Sequence, residues 1–285
     1  MLKFIEKSFD MRILFKTNYK QDLNLAKHGG HRFWYGLLIF VLFAAPLILD
    51  GYYIGEATRV LIYAMAGLGL MVLTGFTGQA SLGHAAFLAI GAYTNAWFLA
   101  QGFSSFVALP MAALLSMIGG LLVAIPASRM SGIYLAIATL AFAIIVEDFA
   151  GHLTSITGGN RGMMVDAPML FGYQIWQTWG LYLFVLSVLV AATLAVLNIL
   201  RSPLGRAMIA VRDSEVSSQA LGVNPMKIKV FAFTVSAAIT GLAGAFLAHY
   251  MLFLTPQIFG ILLSIQLLLM IVLGGLGTVH GVFFG

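Results

Sequence analysis

R-S-P-L-G-R-A-M-I-A-V-R-D-S-E-V-S-S-Q-A-L-G-V-N-P-M-K-I-K, residues 201–229, is a polar island that holds five of the fifteen Lys and Arg residues of the chain. From Pro203 to Leu221 polar and apolar positions alternate at helical spacing, and Gly222 and Pro225 supply stop signals. The flanking segments, 179–200 and 230–253, are long and apolar. Membrane helices need no such connector merely to turn around. The stretch is therefore expected to be a docking element on one face of a helical membrane bundle, with the rest of the chain forming the pore that it moves.

Composition supports the bundle. Of 285 residues, 61% are hydrophobic and only 9% charged, whereas a water-soluble domain carries about a quarter charged residues. A hydrocarbon core of about 30 Å takes roughly 20 helical residues to cross. Outward from the connector, apolar segments are read at 33–49, 57–73, 85–99, 106–126, 133–146, 179–200, 230–253 and 261–273. The alternating ten-residue pattern of a membrane barrel is absent. The expected fold is all-α: a polytopic transmembrane bundle with a broken or re-entrant segment near 74–99, since 85–99 is short for a full crossing and follows a run of small and polar residues. Two regions are expected, a basic cytoplasmic arm at 1–32 and a transmembrane domain at 33–285.

The net charge of +5 sits in short inter-helix segments, which fits membrane topology rather than nucleic-acid binding. The arm at 1–32 carries seven Lys or Arg against three acids, interleaved with apolar residues. It reads either as an interfacial amphipathic helix or as a basic tail that only sets orientation. With the arm inside, Asp50, Glu56, Glu147 and Asp148 fall outside, and Arg129 and 201–229 fall inside. Zero cysteines exclude disulfides and thiolate chemistry.

Between the second and third apolar segments runs T-G-F-T-G-Q-A-S-L-G-H, residues 74–84. Short side chains and exposed backbone dipoles at a helix break are how transporters build a site for a small polar or zwitterionic solute. Thr74, Thr77, Gly78, Gln79, Ser81 and His84 are the candidate pathway residues, and a tight turn with small residues for close packing is the competing reading. For His84 alone, a helix-packed histidine is an even match. Gly158, Gly159, Asn160 and Arg161 form a similar polar stretch on the outer side, either an external vestibule or a plain loop. Ser236, Gly241, Gly244 and Ala245, like Gly91 and Ala92, read as packing faces.

Catalytic machinery is not apparent. There is no metal-ligand cluster, and the carboxylates of Glu147 and Asp148 diverge by about 100° on a helix. The span interiors are nearly charge-free, unlike proton-coupled transporters, which bury ionisable residues in the bilayer. Energy for uphill transport must then arrive from outside the chain, through 201–229.

Five motifs in order, L-T-G-F-T-G-Q-A-S-L-G-H-A-A-F-L-A-I-G-A-Y (73–93), S-G-I-Y-L-A-I-A-T-L-A-F (131–142), L-T-S-I-T-G-G-N-R-G (153–162), the stretch from R-S-P-L-G-R to G-L-A-G-A-F (201–246) and G-G-L-G-T-V-H-G (274–281), carry a resemblance. The chain resembles the permease subunits of bacterial ATP-binding-cassette importers for branched-chain amino acids, specifically the longer permease with a basic N-terminal extension. The resemblance implies a non-enzymatic inner-membrane permease without cofactors. Its implied partners are a homologous sister permease, two cytoplasmic ATPase subunits and a periplasmic solute-binding protein. It also implies that Arg212 to Gly222 is the coupling helix, with Arg206, Arg212, Asp213, Glu215 and Gly222 as contacts to the ATPase. Glu215 and Gly222 echo the importer loop motif, but Val216 and Ser217 replace its paired alanines, and the spacing is one residue longer. Related permeases continue past the glycine-rich stretch, so a truncated C-terminus is expected. Urea or short amides are the alternative cargo, and an autonomous channel or a membrane scaffold the alternative role.

Overall fold

The computed structural model describes residues 29–285 apart from 167, 171–172 and 175–177. The expectations for the basic arm thus lie almost wholly outside the described residues. The chain divides into two compact units, one ending at Ala45 and the other spanning Pro46–Gly285. Helix α1, Gly29–Ile48, carries Pro46 near its end.

The second unit begins with α2, Gly51–Leu70, which runs on into one π-helical turn, Met71–Gly75. Then follow α3, His84–Ala100, α4, Ser105–Ala127, and α5, Ile133–His152. A short turn, α6, Thr154–Thr157, leads to strand β1, Met163–Met164, and the hairpin of β2, Met169–Leu170, with β3, Tyr173–Gln174. Helix α7, Thr178–Arg201, precedes the connector helices α8, Pro203–Asp213, and α9, Glu215–Ala220. Helix α10, Pro225–Met251, β4, Phe253–Leu254, α11, Ile261–Gly274, and α12, Gly281–Phe284, complete the unit. Pro203 and Pro225 stand in the first turn behind the caps Ser202 and Asn224, so Pro225, which reads as a stop signal in the sequence, opens α10 instead, and Asn224 Oδ1 accepts from Lys227 N at 3.2 Å.

Among the described residues six helical spans are long and apolar enough to cross a membrane, counting α2 with its π turn and α11 with the 3-10 turn Pro256–Phe259 before it. The expected all-α, multi-span bundle is what the structure shows. Two of the six, Gly51–Gly75 and Pro225–Met251, are 67% buried along their apolar stretches, whereas the other four are only 22–28% buried. The outward faces of those four are apolar, with Leu122, Ile145 and Leu273 well exposed. Water would not tolerate that much continuous apolar surface, but lipid does.

Helix α10 is the axis, with α2, α3 and α4 packed around it. Small residues make the approach possible. A Cβ on Gly91 would overlap the backbone of Gly241, one on Gly244 would overlap the backbone of Leu88, and one on Gly120 would meet Ala237. The positions expected to form packing faces do so.

The segment before α3 explains why 85–99 reads short. Gly75, at the end of the π turn, lies at the connector, yet His84 contacts Ser236 near the middle of α10. Residues 76–83 are non-helical apart from the first turn and climb back from the inner end of the bundle to its middle. Helix α3 covers only the outer part of the crossing. It runs parallel to α10, with His84 beside Ser236 at one end and Asn95 beside His249 at the other. Unwound backbone at that depth persists only where its polar groups are satisfied. Gln79 N donates to Leu73 O (3.2 Å), Leu82 N to Thr139 Oγ1 (3.0 Å) and Ala85 N to Ser264 Oγ (3.0 Å).

Candidate functional site in the helix break and its connector

Most pathway candidates turn out to be internally bonded. Thr74 Oγ1 donates to Gln79 O (3.0 Å) and Thr77 Oγ1 to Leu73 O (2.5 Å), which fastens the turn at 73–79 to itself. His84 is fully buried, and its ring lies 3.0 Å from Ser81 Oγ through Nδ1 and 2.8 Å from Ser236 Oγ through Nε2. Ser236 Oγ in turn donates to Gly69 O at 2.6 Å. Since that hydroxyl proton is committed, Nε2 must be the donor to Ser236, and Nδ1 accepts from Ser81, whose oxygen accepts from Gly83 N. Every member of this relay is satisfied, and it joins α2, the break, α3 and α10 at one level.

The amide donors at the start of α3 are also in use, by Ser81, Thr139, Ser264 and Gly83 O. The exception in the break is Gln79. The residue is 3% exposed, and neither Nε2 nor Oε1 has a hydrogen-bond partner among the described residues. Gly78 beside it takes φ +71°, in the left-handed region that favours glycine.

Sequence reasoning missed a second polar cluster further out. Asn95 Nδ2 donates to His249 Nε2 (3.1 Å), while Asn95 Oδ1 and the Tyr93 hydroxyl have no hydrogen-bond partner among the described residues. An asparagine and a histidine inside apolar segments were the available signal.

The connector is two helices rather than one. Ser214 is extended (φ −164°, ψ 115°), so α8 stops at Asp213, and its hydroxyl caps α9 by accepting from Ser217 N at 3.2 Å. Gly222 takes φ +82° just beyond α9. Helix α8 buries Gly205, Met208 and Val211 on one face, the three-residue spacing that the alternation predicted. Arg206 is exposed and donates through Nη1 to Arg201 O (3.2 Å). Val216 and Leu221 are 79% and 82% exposed, which leaves two large apolar side chains on the connector surface. Arg212 pairs with Asp213 (3.2 Å) and turns its Nη1 toward Gly75 O.

Glu215 is held within the chain by Lys229, whose side chain is 4% exposed, at 2.5 Å. Glu215→Ala strands a buried ammonium. We expect it to cost about 1–3 kcal/mol in thermal unfolding, less than a fully buried pair because Glu215 is half-exposed. Removing both charges, as Glu215→Ala with Lys229→Met, is expected to recover most of that loss. A double variant no more stable than the single one would show that the pair does not govern this junction.

At the opposite end, the outer polar stretch is firmly built. Gly158 and Gly159 take φ +74° and +62°, Thr157 Oγ1 donates to Ala150 O (2.6 Å), and Asn160 Oδ1 accepts from Gln257 Nε2 (3.4 Å). Antiparallel pairing of β1 with β4 ties this stretch to the end of α10. Asn160 lines a cavity of about 310 Å³ with Glu147, Asp148, His152, Pro256 and Gln257, among others. Arg161 is exposed.

Comparison with known proteins fits this architecture. The family model described as branched-chain amino acid transport system / permease component matches residues 52–285. The high-affinity branched-chain amino acid transport system permease proteins LivM of Salmonella typhimurium and Escherichia coli K12 are each 36% identical to the chain over 266 residues, covering 85% of it. The chain spans 63% of the length of those two relatives. A more distant relative, the autoinducer 2 import system permease protein LsrC of Escherichia coli O9:H4, is 26% identical over 260 residues, covering 86% of this chain and 71% of LsrC. No solved structure matches significantly. Six helices of membrane-crossing length together with the family match make this a multi-pass protein of the inner membrane. On the motifs, the bundle and a match running from residue 52 to residue 285, the chain belongs to the branched-chain amino acid transport system permease component family.

Proposed function

We propose that the chain is the permease subunit of an ATP-driven importer for branched-chain or other apolar amino acids. It would act with a sister permease, two cytoplasmic ATPase subunits and a periplasmic solute-binding protein. The observation that carries this reading is Gln79: a buried carboxamide whose donor and acceptor have no partner among the described residues, in a break whose own residues, 74–84, include no Asp, Glu, Lys or Arg. Such a group suits a zwitterion with an apolar side chain, because it can bond to either end of the solute without attracting a bare ion. The names of the relatives point the same way.

The work is divided along the bundle. The outer cavity around Asn160 receives solute from the binding protein. The break at 74–84 forms the inner part of the route, with Gln79 meeting the solute and the His84 relay holding the break in shape. The connector docks the ATPase through the exposed Val216 and Leu221 and the exposed charges of Arg206 and Asp213. ATP-driven closure of the ATPases displaces the connector and, with it, the spans that flank the break.

Uptake of radiolabelled leucine and urea by a deletion strain complemented with the full-length protein tests the reading. Energy-dependent leucine uptake is the expected result. Urea uptake without leucine uptake would reassign the cargo, since a small amide also complements Gln79. Failure of any ATPase to copurify would indicate a channel or scaffold.

A further inference from the structure

Arg212 sits where the connector meets the break, and its surroundings are specific. The side chain runs through a slot formed by Gly75, Gly78 and Gly277. Nη1 donates to Gly75 O at 3.0 Å. A Cβ on Gly78 would lie 2.9 Å from Arg212 Cγ, and one on Gly277 would lie 3.1 Å from Nη1. Both of those glycines have positive φ, +71° and +83°, so the slot depends on backbone that other residues rarely adopt.

Each end of the guanidinium has a separate job. Asp213 Oδ1 accepts from Nε and also lies 3.2 Å from Nη2, which fixes the plane of the group and leaves Nη1 pointing inward. Gly75 closes the π turn that ends the long helix Gly51–Gly75, so its carbonyl is among those left without a partner in the helix ladder. A cation there also faces the negative end of the helix dipole. Gly277 N donates to Met71 Sδ at 3.2 Å, which binds the loop after α11 to the same turn.

From this slot the path to Gln79 is short. Gly78 is its neighbour in the chain, and Gln79 N and O are held by Leu73 and Thr74 in the same turn. On the connector side, Arg212 lies in the last turn of α8, immediately before the bend at Ser214. The family resemblance implies that this arginine contacts the ATPase. The geometry points to a different role: Arg212 is the positioning residue that carries motion of the connector into the break and so sets the orientation of Gln79. This inference rests on the transport reading above. Lysine cannot replace it, because one ammonium cannot hold Asp213 and Gly75 O together in a fixed plane.

The test uses the complete complex in proteoliposomes with loaded binding protein. For Arg212→Lys and Arg212→Gln, the ATPases are expected to copurify and to hydrolyse ATP, while leucine taken up per ATP falls by about tenfold. Gly277→Ala keeps the arginine but crowds Nη1, and is expected to give the same uncoupling. Because the chain has no cysteine, an Ala80→Cys label reports on the break directly. Its rate of modification by a charged methanethiosulfonate should change with ATP in the parent chain and stay constant in the Arg212 variants. If Arg212 merely caps the helix, hydrolysis and uptake will fall in proportion and labelling will still respond to ATP, which overturns the proposal. Normal coupling in all three variants overturns it too, and leaves the transport reading standing. A parent complex that never acquires an ATPase removes both.

Discussion

Gln79→Leu is expected to make the protein more stable and at the same time to reduce uptake by about tenfold or more. A buried amide without hydrogen bonds costs about 1–3 kcal/mol relative to an apolar group of similar shape. Leucine nearly matches glutamine in volume, so the substitution removes that cost without opening a cavity. The stabilisation should appear in thermal unfolding of the purified protein, and the loss in leucine uptake. His84→Leu supplies the contrast. Its ring bonds to two serines in a relay with no unmet partner, so the same kind of substitution is expected to destabilise by about 1–3 kcal/mol. Two buried polar residues five positions apart thus move stability in opposite directions. If Gln79→Leu destabilised the protein as His84→Leu does, the carboxamide would be a structural group and the route would lie elsewhere.

The other large effect belongs to the α3–α10 contact. Gly244→Val and Gly91→Val would each drive side-chain atoms into backbone of the facing helix, at Leu88 and Gly241 respectively. Backbone cannot swing aside as a side-chain tip can, so the helices must separate. The resulting cost is at least about 3 kcal/mol, at the upper end of overpacking effects, and less protein should accumulate in the membrane. Gly222→Ala is the matched control. Gly222 has φ +82° but open space around it, so only the conformational cost of about 1 kcal/mol is expected. Fluorescence-detected size-exclusion chromatography after graded heating separates these outcomes. A tolerated Gly244→Val would mean that the axis of the bundle is not packed as described.

Much of this architecture was legible in the chain because the bilayer imposes a length requirement that composition alone records. The apolar run at 106–126 became Ser105–Ala127, and 261–273 became Ile261–Gly274. The break was visible as a cluster of small and polar residues. What it would do was not, because the groups that satisfy it come from afar: Thr139, Ser236 and Ser264 belong to three other helices. Nothing local separates His84, which is committed to two serines, from Gln79, whose carboxamide has no partner among the described residues. The same limit applied to the connector. Its charge was readable, but the inward turn of Arg212 depends on glycines at 75, 78 and 277 that only the fold brings together. Ser214 was a missed local signal, since a serine followed by an acid is a common helix start.

The account rests on a bundle that has no motor of its own and receives one through the connector. Accumulation of labelled leucine in proteoliposomes, compared between the full complex and the two permeases alone, tests this most directly. The expected result is uptake above the external concentration only when the ATPases and ATP are present. Uphill accumulation by the permeases alone would contradict it.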